Sequence, residues 1–269
     1  AFREKAVSLV LAGGLLGAVA GPNLASGTRN LFPVPFAGAY LALMLVALLA
    51  MVCMAGVHFE SLPAPAPGAA APPAGRPVSA LLRQPAFAVA MLGAALGYGV
   101  MNLLMAATPL AMQVCGFGFD SAALVLDWHV IGMFAPGFFT GHLIKRMGTL
   151  PVMLLGVLLN LACVGIALSG QEIAHFTAAL FLLGVGWNFL FTGSTTLAIT
   201  AYRPEEKDRA QGAINFFVFA TMAGTSLASG ALVTTSGWNW LNLASLPPLL
   251  LTGGALLWLM ARQRGVPQP

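Results

Sequence analysis

Polar side chains inside the long apolar stretches of this sequence are few enough to be weighed one by one. Asp127 is a carboxylate well inside such a stretch and is followed by Trp128 and His129. An acid surrounded by hydrocarbon is costly unless paired or protonated, so Asp127 is the candidate for a group that gains and loses a proton. The plainer alternative is a residue near enough to the end of its segment to meet interfacial water. His129 stands two positions on, nearly opposite on a helix, so it is not assigned as a partner. Tyr98 and Asn102, spaced i and i+4 beside Gly97 and Gly99, share a helical face, and Trp187, Asn188, Thr192, Thr195 and Thr196 form a second polar band. Residues of these types either join helices by hydrogen bonds or touch a polar solute. Ser194, after a glycine, could form a hydrolytic dyad with His129. No HExxH or GxGD pattern accompanies them, and the polar groups are scattered over many segments. Cys53, Cys115 and Cys163 are odd in number and lack CxxC spacing, which argues for packing residues, with neither a disulfide framework nor a zinc site. No cofactor or metal motif is found.

The elements that position these residues follow from composition. Of the 269 residues, 58% are apolar and 7% charged, whereas a soluble domain carries about 25% charged residues. The solvent implied is lipid, and a segment of about twenty apolar residues crosses it as a helix. Apolar windows predict helices over Val7–Ala25, Val34–Val57, Phe87–Thr108, Ala122–Gly141, Leu150–Leu168, Phe176–Ala201, Ala213–Val233 and Trp240–Met260, eight in all. The charges then sort by side. Arg3, Lys5, Arg76, Arg83, Lys145, Arg146, Arg203, Lys207, Arg209, Arg262 and Arg264 fall on one face and Arg29 alone on the other, which predicts cytoplasmic termini. The net charge of +4 therefore reads as topology and excludes nucleic acid as a partner. The Pro/Ala-rich connection, with Ser61-Leu62-Pro63-Ala64-Pro65-Ala66-Pro67 and Ala71-Pro72-Pro73, predicts a cytoplasmic linker. The division expected is 1–57 for two helices, 58–86 for the linker, 87–264 for a six-helix bundle and 265–269 for a tail.

A shift of about 206 positions lays Arg3-Glu4-Lys5-Ala6-Val7 on Arg209-Ala210-Gln211-Gly212-Ala213, an internal repeat of the kind that parallel halves of a transporter produce. Three segments then resemble the major facilitator superfamily. Gly17-Ala18-Val19-Ala20-Gly21-Pro22 is similar to that family's GxxxGP motif on its fifth helix, where close glycines and a proline bend permit tight packing against a neighbour. Gly141-His142-Leu143-Ile144-Lys145-Arg146-Met147-Gly148 resembles the short loop motif after its eighth helix, with Lys145 where the family pattern has an acid, a turn made by glycine, and cations facing the anionic leaflet. Arg203-Pro204-Glu205-Glu206-Lys207-Asp208-Arg209 is similar to the charged loop before the eleventh helix, whose charges form a network that breaks as two halves rock.

The resemblance implies an all-α membrane bundle corresponding to family helices five to twelve, four helices fewer than a symmetric twelve. It makes Phe87–Thr108 and Phe176–Ala201 cavity-lining helices. It also implies a secondary transporter of the bacterial inner membrane that moves a small organic solute by alternating access, with a coupling proton and no cofactor. Asn102, Thr108-Pro109 and Trp128-His129 resemble a narrower set of carriers linked to riboflavin uptake, the alternative within the family. A channel is the remaining alternative, without a charged ring or filter-like loop to support it.

Overall fold

The computed structural model of the chain describes residues 2–57 and 75–264, and the side chains of 13, 14, 16–57 and 75–264. The described residues form helices without strands: α1 (Phe2–Thr28), α2 (Ala37–Ala55), α3 (Val78–Leu82), α4 (Pro85–Val114), α5 (Phe119–Phe134), α6 (Gly137–Met147), α7 (Thr149–Ser169), α8 (Ile173–Ile199), α9 (Lys207–Thr235), α10 (Gly237–Ala244) and α11 (Leu246–Arg264). A short 3-10 turn, Pro204–Glu206, leads into α9. Six helical segments are long and apolar enough to cross a membrane, and α5 with α6, bent by 42°, makes a seventh. The remaining expected span, Val7–Ala25, lies within α1, whose 27 residues would reach about 40 Å at 1.5 Å each.

Two expected helices are interrupted. Ala122–Gly141 is broken at Ala135-Pro136, because Pro136 has no N–H to donate, and Gly141 falls inside α6 rather than at a helix end. Trp240–Met260 is divided at Ser245 between α10 and α11. Helix α4 starts at Pro85, two residues before expectation, because proline fits the first helical position. Of the expected linker, residues 58–74 lie outside the described residues, as does the tail 265–269. From Gly75 onward the chain is tied down, and α3 places Leu81, fully buried, in the core.

Helix α8 is the centre of the bundle and packs on α7, α5 and α4, while α4 also packs on α9 and α11. Lipid exerts no hydrophobic drive between helices, so close approach depends on small residues. At the α5–α8 crossing a Cβ on Gly132 would lie 2.5 Å from the Phe181 carbonyl oxygen, and one on Gly184 would lie 2.8 Å from the Met133 nitrogen. At the α7–α8 crossing a Cβ on Gly156 would lie 2.7 Å from the Gly186 carbonyl oxygen. Helix α1 packs on α2 and α5. Among the described residues, helix α2 buries only Gly38 and Ala39 and leaves the rest of an apolar surface outward.

Candidate transport site and gates

The polar residues of α1 meet α5 along an antiparallel seam. Asn23 Nδ2 donates to Asp127 Oδ2 at 2.7 Å and lies 2.8 Å from its own helix's Val19 carbonyl. Asp127 Oδ1 is buried and has no partner among the described residues. Further along, Ser26 Oγ donates to Asp120 Oδ1, and Arg29 Nη2 donates to Asp120 Oδ2 at 3.0 Å. The Arg29 guanidinium also lies 4.8 Å from the Phe119 ring centroid, and Phe36 meets that ring edge-on at 5.5 Å. Asp127 is thus not the isolated acid that the sequence predicts. Its partner was missed because Asn23 is a single amide inside the expected Val7–Ala25 helix, about a hundred residues away, with nothing around it that points to Asp127. Pro22 lies inside α1, as the expected Val7–Ala25 helix requires. Among the described residues, a Cβ on Gly17 or Gly21 meets nothing within 4 Å, whereas one on Gly14 lies 3.5 Å from the Phe134 ring.

His129 turns away from Asp127, as its spacing predicts, and is fully buried against α8. Its Nδ1 lies 2.8 Å from the Leu180 carbonyl oxygen, which can only accept, so Nδ1 carries the hydrogen. Ser194 stands fourteen residues beyond Leu180 on α8, roughly 21 Å along the axis. A serine–histidine dyad is therefore not assembled.

The two expected cavity bands divide by the helix each residue faces. Tyr98 packs edge-on against Trp187 at 5.4 Å and Phe191 at 5.7 Å, and Trp187 stacks on Phe191 at 5.2 Å with 10° between planes. The buried Trp187 Nε1 has no partner among the described residues. Asn102 points instead to α9, with Nδ2 2.9 Å from Ser226 Oγ and 3.1 Å from both Thr225 Oγ1 and the Met222 carbonyl. Asn188 serves the bend between α5 and α6. Its Nδ2 donates to the Met133 carbonyl at 2.7 Å, and its Oδ1 lies 2.7 Å from the Thr140 hydroxyl, which also reaches Pro136 O. Thr195 and Thr196 satisfy their hydroxyls on the carbonyls of Phe191 and Thr192, in their own helix, and Thr192 itself is half-buried.

A second polar cluster closes the opposite end from the Asp120 contacts. Arg76 grips Glu206 with Nε on Oε1 and Nη2 on Oε2, both at 2.7 Å, and its backbone N–H donates to Oε1 at 2.9 Å. The Arg203 backbone N–H adds a bond of 2.9 Å to Oε2. Arg209 Nη1 donates to the carbonyls of Gly75 at 2.6 Å and Arg76 at 2.8 Å. The bonds from Arg76 above all hold the Glu206 carboxyl well below the usual carboxylate range, and Glu206 in turn raises Arg76. Glu206 was missed as the hub because its cation comes from the far end of the proline-rich segment. In the loop motif, the turn is made by Gly148, at φ 92°, and not by Gly141. Lys145 and Arg146 are exposed in the last turn of α6, where cations complement the helix dipole.

Comparison with known proteins agrees with this geometry. The chain matches the model of the Major Facilitator Superfamily over residues 1–219 and 128–269. It is 38% identical over 256 residues to the riboflavin transporter RfnT of Brucella anthropi, covering 93% of this chain and 63% of that protein. It is 28% identical to the uncharacterized MFS-type transporter YddS of Bacillus subtilis, over 61% of this chain and 38% of that one. A third relative, the H(+)/hexose cotransporter 2 of Parachlorella kessleri, is 32% identical over 49% of this chain and 24% of its own length. The chain spans less than two thirds of the length of each of these relatives. With the matched model covering the helices, the loops and the seam described above, the chain belongs to the Major Facilitator Superfamily.

Proposed function

We propose that the protein is a secondary transporter that moves a small, flat organic solute of the riboflavin class across a bacterial inner membrane by alternating access, coupled to protons. The observation that carries the reading is the Tyr98, Trp187 and Phe191 cluster with the unpartnered Trp187 indole N–H. An aromatic wall favours a planar ring, and the N–H offers a donor to a ring carbonyl. The 38% identity to a riboflavin transporter supports the same class. Asn102, Asn188 and Thr192 are secondary here, since two of them are already engaged between helices.

In this reading α1 and α2 belong to one bundle and residues 87–264 to the other, joined by the 58–86 connection on the cytoplasmic side. The seam of α1 on α5 closes the outer end, and Arg76, Glu206 and Arg209 lie at the inner end. Lys145 and Arg146 face the anionic leaflet. Asp127 carries the proton. The test is uptake of labelled riboflavin by cells expressing the complete gene. Saturable uptake that a protonophore collapses is expected, whereas uptake linear in concentration points to a channel and absence of riboflavin uptake overturns the substrate class. Asp127→Asn is expected to leave exchange measurable and abolish gradient-driven accumulation, because the amide keeps the shape without cycling a proton. Unchanged accumulation in that variant removes Asp127 from the coupling role.

A further inference from the structure

We propose that Asn23 is a positioning residue that ties the charge state of Asp127 to the closure of the α1–α5 seam. The inference rests on the reading of Asp127 as the proton carrier. The geometry gives each oxygen of Asp127 a different environment. Oδ2 accepts from Asn23 Nδ2 at 2.7 Å, across two helices that are 104 residues apart in sequence, while Oδ1 is buried without a partner among the described residues. Oδ1 is therefore the atom that receives the proton and Oδ2 the atom that holds the seam.

The consequence follows from hydrogen-bond chemistry. With Asp127 charged, the Asn23 bond is charge-assisted, and such bonds are about twice as strong as neutral ones. When hydronium, admitted as the seam breathes, transfers its proton to Oδ1 and leaves as water, Oδ2 becomes the carbonyl oxygen of a neutral acid and the bond to Asn23 weakens. No other bond breaks, and the proton leaves again to water when the seam has moved. Proton binding thus loosens one rung of the contact, and the rung formed by Ser26 and Arg29 on Asp120 is left to hold the outer end. Asn23 is suited to this part because its amide carries no charge of its own. The same Nδ2 also lies 2.8 Å from Val19 O, so the side chain keeps a bond in its own helix when Asp127 lets go. Among the described residues, no side chain other than Asn23 reaches Oδ2. Arg29 is engaged by Asp120, and the imidazole of His129 is turned to Leu180.

The experiment compares Asn23→Leu, Asn23→Gln and the unchanged protein, expressed from the complete gene in cells and purified into lipid. In cells, the ratio of gradient-driven riboflavin accumulation to riboflavin exchange should fall about tenfold in Asn23→Leu, the factor that corresponds to losing a hydrogen bond to a charged group of about 1.5 kcal/mol. It should recover at least in part in Asn23→Gln, which keeps the amide donor. Equal loss of accumulation and exchange in Asn23→Leu would assign Asn23 a packing role only and overturn the proposal, as would an unchanged ratio. In lipid, infrared difference spectra between acidic and neutral pH should contain a carboxylic C=O band that disappears in Asp127→Asn. That band should move to higher frequency in Asn23→Leu, since a carbonyl freed of its donor stiffens. A band that stays in place overturns the link between the two residues. The spectra need no substrate, so absence of riboflavin transport would count against the proposed function and leave the Asn23 contact decided on its own.

Discussion

Asn188 shows how a buried amide in a membrane helix can be structural where its position suggests a solute contact. Pro136 breaks the α5–α6 ladder, and Asn188 supplies the donor for the Met133 carbonyl left over by the break. Asn188→Ala leaves that carbonyl unsatisfied, which should cost about 1–3 kcal/mol. A lowered thermal midpoint in detergent, with substrate affinity retained in the folded fraction, is the expected result. Loss of affinity at unchanged stability would return Asn188 to the cavity. The sequence made its polarity legible and hid its partner, because nothing in the residues around 188 points to a break some fifty positions earlier. Tyr98 and Asn102 teach the same lesson. A spacing of four places both on one side of α4, but that side lies between two neighbours, so Tyr98 meets α8 and Asn102 meets α9. Asp127 stood out because carboxylates in apolar runs are rare. Asn23 did not, because a neutral amide near the end of an apolar span is common and names no partner by itself.

At the scale of elements, the crossings of α8 with α5 and α7 are set by glycine. Gly156→Val would drive side-chain atoms into the Gly186 carbonyl and the Leu190 backbone, both rigid parts of a central helix. Lower yield of folded protein and a lower thermal midpoint are expected, with Gly141→Val as the control, since a Cβ there meets nothing within 4 Å among the described residues. The α1–α5 seam gives a second prediction at this scale. Reversing Asp120 to Arg should open the seam by setting it against Arg29, and combining it with Arg29→Asp should restore the pair. Cross-linking between cysteines placed on α1 and α5 would fall in the single variant and recover in the double one. The helices themselves were readable from hydropathy because the bilayer requires every backbone group to be bonded within its own segment. The break in α5–α6 was less so, since an apolar window averages across a proline.

For the whole molecule, the inner-end cluster makes stability depend on pH in a defined sense. Glu206 is held below the usual carboxylate range by Arg76 and the Arg203 backbone, so its contribution is present above about pH 4 and is lost as pH falls through the lowered value. Arg76 stays charged throughout. Glu206→Gln should therefore be less stable than the unchanged protein at pH 7, with the difference shrinking below about pH 4. A difference constant over that range would mean that the carboxylate charge is not what holds the segment. The same cluster bears on the proposed division into two bundles. Since Gly75 and Arg76 are held by Arg209 and Glu206, limited proteolysis of inside-out vesicles should cut between Ser61 and Ala74 before any helix, while cleavage elsewhere first would argue against that division.

The sparse burial of α2 has a consequence for the choice of membrane. Its 19 residues are about 29 Å long as a helix, close to a hydrocarbon layer of about 30 Å, whereas the 30 residues of α4 reach about 45 Å. The longer helix can lean on α8 and α9 for its orientation, whereas among the described residues α2 packs mainly on α1. A thicker bilayer exposes a mismatch that α2 cannot relieve by tilting, since tilt shortens its projection further, so lipid thickness should tune the docking of this helix on α1 before it disturbs the glycine-sealed bundle.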